Sequence, residues 1–228
     1  MSQFEASLAL LMIIIIIGMV ATLVVIIGGK DLAQILSVIR KDIIVKAKAI
    51  NAIPEKSIVY KMSKRCGDLL MGMIAIISFS PILIIFCVLL LITGHKGVFI
   101  RRECYGYKGK ETHYYVFNIY NNKNKIDAVG DFLWKSGFEM CPIFAMLITG
   151  SITTIGLPRL KENLLTEDER YLFNYEKPGL ASLSDTLYEE GDGLLTELDR
   201  AYLKLRSISL DIKILFYTVI RVLSSKAQ

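Results

Sequence analysis

The 228 residues carry 27 Lys and Arg against 22 Asp and Glu, a net charge of +5, with 53% hydrophobic residues and a mean hydropathy of +0.47. So mild a charge balance argues against a nucleic-acid partner, and two histidines exclude a His-rich metal site. The length suits one domain with an appendage.

Residues 7–29, SLALLMIIIIIGMVATLVVIIGG, contain no charge. At about 1.5 Å per residue this run reaches roughly 34 Å, enough to cross a bilayer. The segment before it offers Glu5 rather than a basic start, so an uncleaved transmembrane helix over 1–30 is expected rather than a signal peptide. Lys30, Arg40, Lys41, Lys46 and Lys48 follow, which places the C-terminal end of that helix in the cytoplasm. Residues 31–59 are read as a linker.

A second uncharged run, residues 69–92, has basic residues on both sides: Lys61, Lys64 and Arg65 before it, Lys96, Arg101 and Arg102 after it. Both ends therefore favour the cytoplasmic face. Ser78-Phe79-Ser80-Pro81 lies near its middle. Proline removes a donor and clashes with the carbonyl four residues back, and the serines are placed to supply hydroxyls to the freed carbonyls. Two readings follow: a re-entrant helix over 66–94 that breaks at Ser80 and Pro81 and returns, or a kinked spanning helix.

Residues 97–128 change character. Aromatic and β-branched residues around YGYKGKE predict a β-hairpin or an extended segment with a Gly-containing turn, and NNKNK reads as a surface loop. In KSGFEMCPIF, residues 135–144, Glu139 is the last charged residue before Arg159. The tail places Leu194, Leu195, Leu198, Tyr202 and Leu205 at helical spacing, and residues 208–223 fit an amphipathic helix lying in the membrane plane. Cys66, Cys87, Cys104 and Cys141 are scattered without a C-x-x-C, as reduced thiols used as small hydrophobes.

From about residue 60 onward, the order of six segments carries more than any one of them. These are KRCGDLLMGMIAIISFSPILII, KGVFIRRECYGYKGKETHYYVFNIY, VGDFLWKSGFEMCPIF, ITTIGLPRL, EKPGLASL and LDRAYLKLRSISLDIKILFYTVIRVL. Together they resemble the bacterial sugar transferases, the monotopic polyprenyl-phosphate phosphoglycosyltransferases. The resemblance implies transfer of a phosphosugar from a UDP-sugar to polyprenyl phosphate. It also implies an aspartate nucleophile, an adjacent glutamate and Mg²⁺, with the active domain on the cytoplasmic face of the bacterial inner membrane.

The chain departs from that pattern at the dyad. Glu139 stands where the resemblance implies the nucleophilic Asp, and Met140 where it implies the Glu. The extra methylene displaces the Glu139 carboxylate by about 1.5 Å. A neutral thioether is neither a ligand for a hard cation nor an acid or base. Val116 and Asn118 replace an expected Lys and Arg of the hairpin motif, while Arg159 survives from the Gly-Pro-Arg segment. Arg101, Arg102, Arg159 and Lys177 are candidates for phosphate or substrate binding, with lipid-headgroup contact or a plain turn as their structural alternatives.

The expected fold is a mostly α, membrane-associated α+β architecture. It comprises an N-terminal transmembrane helix, the re-entrant helix, interfacial amphipathic helices and a small β-hairpin, with the transferase-like domain over 60–228. The expected function is a catalytically impaired accessory or interaction subunit in envelope glycan assembly, paired with an active paralogue or a second copy, and no cofactor is assigned to it. The alternative is an active transferase with Glu139 as nucleophile and Mg²⁺ held by groups such as Asp127 or Asp131.

Overall fold

The computed structural model describes residues 29–187 and 195–225. The expected N-terminal transmembrane helix falls almost wholly outside the described residues. The chain divides into two compact units, one of residues 54–182 and one formed by the segments on either side of it.

The flanking unit is helical. Helix α1 (Gly29–Lys48) occupies much of the stretch read as a linker. The short α6 (Leu183–Leu187) is followed by α7 (Leu195–Leu205) and α8 (Ile208–Ser225). Leu198 and Tyr202, four residues apart on α7, are buried as their spacing predicts, and the Tyr202 hydroxyl donates to Asp211 at 2.8 Å. On α8, Ile212, Phe216, Val219 and Val222 are exposed, an apolar stripe at helical spacing.

The other unit begins with α2 (Ile58–Ile92), N-capped by the Ser57 hydroxyl, which accepts from the Tyr60 amide at 3.2 Å. Thirty-five residues make it about 52 Å long. It is the one helix among the described residues that is long and apolar enough to cross a membrane, and most of its apolar stretch faces outward. The chain stays helical through Pro81. Pro81 cannot donate to the Ile77 carbonyl, and the Ser80 hydroxyl donates to that carbonyl instead, at 2.9 Å.

Strands β1 (Phe99–Tyr105) and β2 (Glu111–Phe117) pair antiparallel from Phe99 opposite Phe117 to Tyr105 opposite Glu111, which is the predicted hairpin. Helix α3 (Ala128–Ser136) follows, then a 3₁₀ segment, Phe138–Ile143, and the short α4 (Phe144–Thr149). Strands β3 (Thr153–Gly156) and β4 (Gly179–Ser182) form a second, parallel pair, with α5 (Glu167–Leu172) between them in sequence.

Two apolar clusters hold this unit together. Phe86 and Leu90 of α2 pack with Phe117, Ile119, Leu133 and Cys141. Cys104, Tyr114, Val116, Ile143, Leu147 and Ile152 form the second cluster. The result is the mostly helical α+β class expected, with two small sheets.

Candidate functional site

Glu139 owes its position to the turn before it. Gly137 ends α3 in the left-handed region at φ 78°, a conformation that disfavours side chains, and reverses the chain into the 3₁₀ segment. The reversal turns Glu139 inward, where it is 8% exposed. Its Oε2 is buried with no hydrogen-bond partner among the described residues. Burial pushes the Glu139 carboxyl above the usual carboxylate range, and the Arg102 guanidinium opposes that rise.

Strand alternation explains why Arg102, and not Arg101, is the neighbour. Ile100, Arg102 and Cys104 share one face of β1, opposite Val116, Tyr114 and Thr112. That face carries the second apolar cluster. Arg101 lies on the other face. Arg159 joins the Arg102 side: its guanidinium stands 5.6 Å from the Tyr114 ring centroid. It also donates to the carbonyls of Gly179 and Leu180, the latter at 2.6 Å. Its charge partly offsets the burial that pushes the Cys104 thiol up to about 11. Arg102, Tyr114 and Arg159 thus share one side of the hairpin, and the Arg102 charge acts on Glu139.

The positions around Glu139 where the resemblance implies other chemistry are occupied structurally. Met140 packs on the second apolar cluster, and Val116 is fully buried within it. The Asn118 amide donates to Gly97 O at 3.2 Å, and its Oδ1 accepts from the Tyr120 amide at 3.0 Å, fixing the chain as it leaves β2.

A hard divalent cation takes several oxygen ligands. Among the described residues no three His, Cys, Asp or Glu side chains converge. Glu139 is followed by Met140, whose thioether is no ligand for a hard cation, and it feels the positive charge of Arg102. That donor set does not fit Mg²⁺. The two carboxylates named as alternative ligands make contacts within and beside α3. Asp127 caps α3 by accepting from the Gly130 amide at 2.8 Å, and Asp131 pairs with Lys135 at 2.6 Å.

Lys177 does not join this face. Its Nζ donates to Gly150 O at 2.6 Å and lines a separate cavity of about 300 Å³ with Asp68 and Glu176. Asp68, on α2, is buried and accepts from the Thr153 hydroxyl at 2.8 Å and the Thr154 amide at 2.7 Å, tying the helix to β3. Glu176 is shared between Lys56 and Lys64, the latter at 3.1 Å. Burial alone would raise its pKa, but the charges of Lys64 and Lys56 outweigh it and hold the carboxyl below the usual range. Sequence reasoning missed this cavity. Its only local signal is the spacing of Lys61, Lys64, Arg65 and Asp68, which puts them on one side of a helix.

Comparison with known proteins adds the frame for these residues. The family model described as "Bacterial sugar transferase" matches residues 59–225. A UDP-glucose:undecaprenyl-phosphate glucose-1-phosphate transferase of Klebsiella pneumoniae is 27% identical over 194 residues, covering 72% of this chain and 41% of that protein. The protein of the same name from Escherichia coli (strain K12) is 25% identical over 197 residues, covering 74% of this chain and 42% of its own. The chain therefore spans about two fifths of the length of the curated relatives it matches.

Proposed function

The chain belongs to the bacterial sugar transferase family, and from that premise we propose that it is a catalytically impaired member. In this reading it is an accessory or interaction subunit of envelope glycan assembly. It sits at the cytoplasmic face of the inner membrane and pairs with an active paralogue or a second copy. UDP-sugar and polyprenyl phosphate, the ligand classes in the names of its relatives, are the ligands it would retain or present. The outward-facing apolar side chains of α2 and α8 support membrane attachment, since exposed apolar area on that scale needs a lipid or protein cover. The basic residues at both ends of α2 support re-entry rather than crossing.

One observation carries the proposal: Met140, beside Glu139, packs against the apolar cluster that contains Val116. The position that would bring a carboxylate for a metal and the one that would bring a cation to a diphosphate are apolar instead. A second reading, transfer with Glu139 as nucleophile, draws support from the buried, unpartnered Glu139 Oε2 beside Arg102. That is an arrangement in which a carboxylate is withheld from competing partners.

The test is turnover by the purified full chain with a panel of UDP-sugars, polyprenyl phosphate and Mg²⁺. The impaired reading expects none, and expects Met140→Glu to gain some. Turnover that disappears in Glu139→Gln would establish the second reading in its place. Labelling of cysteines introduced at 60 and 96 reports topology: modification from one side of the membrane supports re-entry, and modification from opposite sides means that α2 spans.

A further inference from the structure

The cavity beside Asp68 is the strongest unassigned feature of the unit formed by residues 54–182. Five basic side chains, Lys56, Lys61, Lys64, Arg65 and Lys177, converge on it against two carboxylates, Asp68 and Glu176. Glu176 is divided between Lys56 and Lys64. Asp68 is turned to Thr153 and Thr154. The Arg65 guanidinium is held by the carbonyls of Leu147 and Ile148, both at 2.6 Å, and Lys177 by the carbonyl of Gly150. These carbonyls orient the cations without cancelling their charge. Gly150, at φ 78°, lets the guanidinium lie against the backbone: an added Cβ would stand 3.0 Å from Arg65 Cζ. Lys61 is exposed at the rim.

Fixed cations in positive excess around a small hollow form a preorganised anion site, because the mutual repulsion of the cations is relieved when an anion enters. Arginine and lysine donors match phosphate oxygens, and about 300 Å³ holds a phosphate or diphosphate group but not a whole nucleotide-sugar. We propose that this cavity binds a phosphate group, separately from the Glu139 face. Its lining contains neither Glu139 nor Arg102 nor Arg159. The site does not depend on whether the chain is catalytically active. The phosphate has two sources: a free phosphate or diphosphate from solution, or the headgroup of an anionic lipid reaching the polar start of α2.

Equilibrium binding of radiolabelled inorganic diphosphate to the full chain in detergent, at low salt, tests the first source. Retention of phosphatidylglycerol over phosphatidylcholine on the purified protein tests the second. Saturable diphosphate binding, weakened about tenfold in Lys61→Gln and in Lys177→Gln and unchanged in Arg102→Gln, supports a soluble occupant. About 1.4 kcal/mol per lost charge-assisted contact corresponds to that factor. Selective lipid retention that the same two variants lose supports a lipid occupant. Lys61 is exposed, so its variant folds even if Lys177→Gln does not. The proposal is overturned if neither probe binds, or if binding is as strong in Lys61→Gln as in the parent. It is also overturned if Arg102→Gln alone abolishes binding, which would place the anion on the Glu139 face.

Discussion

Glu139 and Glu176 are both buried glutamates of the same compact unit, in opposite surroundings. Glu176 is gripped by Lys56 and Lys64 and also accepts from the Lys177 amide. Glu139 keeps an oxygen with no partner among the described residues, and the charge of Arg102 does not undo the effect of burial. A carboxylate saturated with partners holds structure together. One that is buried and left open costs stability, and a fold retains such a cost where the group serves a ligand, or where a former site has decayed without collapsing.

The sharpest way to break this contrast is to neutralise each glutamate. Glu176→Gln leaves two lysines around a neutral amide, and the expected loss is about 3 kcal/mol in chemical unfolding of the full chain. Because the folded pKa of Glu176 lies below its unfolded value, its contribution is complete above the unfolded value. It is lost as pH falls through the folded one, so the parent weakens in acid and the variant loses that part of the dependence.

Asp68→Ala comes next. It strips the Thr154 amide of a charged acceptor inside the fold, at about 2 kcal/mol by the same measurement.

Glu139→Gln has the smallest effect and the opposite sign. The folded pKa of Glu139 is raised, so the parent loses stability as pH rises through the unfolded value and levels off above the folded one. The variant is therefore more stable than the parent at neutral pH, by less than either loss above, and indistinguishable from it in acid. If unfolding at neutral pH moves the same way in Glu139→Gln and Glu176→Gln, the two environments are not the opposites described here.

What was readable in advance follows the range of the interactions. The hairpin was visible because Phe99–Phe117 is a local pattern of aromatic and β-branched residues about a glycine turn. The apolar helix was visible as a run. The continuity of α2 through Pro81 was not, because it depends on a Ser80 hydroxyl reaching the one carbonyl that proline leaves bare. The register of Glu139 and Met140 came from the resemblance. The orphaned oxygen and the choice of Arg102 over Arg101 needed the turn at Gly137 and the strand pairing. The basic cavity was least legible, since Glu176 meets Lys56 and Lys64 across 120 and 112 residues of sequence. The spacing on α2 hints at a polar face, and nothing in it names the distant partner.

The flanking unit has a consequence for biosynthesis. Helix α1 packs within a unit whose other described helices lie on the far side of residues 54–182 in the chain. Compact units tend to fold as they emerge, the earlier segments first. Here α1 is translated before the α7 it packs against, and must wait until the whole intervening unit and then α7 have left the ribosome. During that interval Ile43 and Ala47, buried in the finished protein, lack the later helices of their unit. The basic residues Lys46 and Lys48 in its last turn give the waiting helix a way to rest on an anionic surface until its partner arrives.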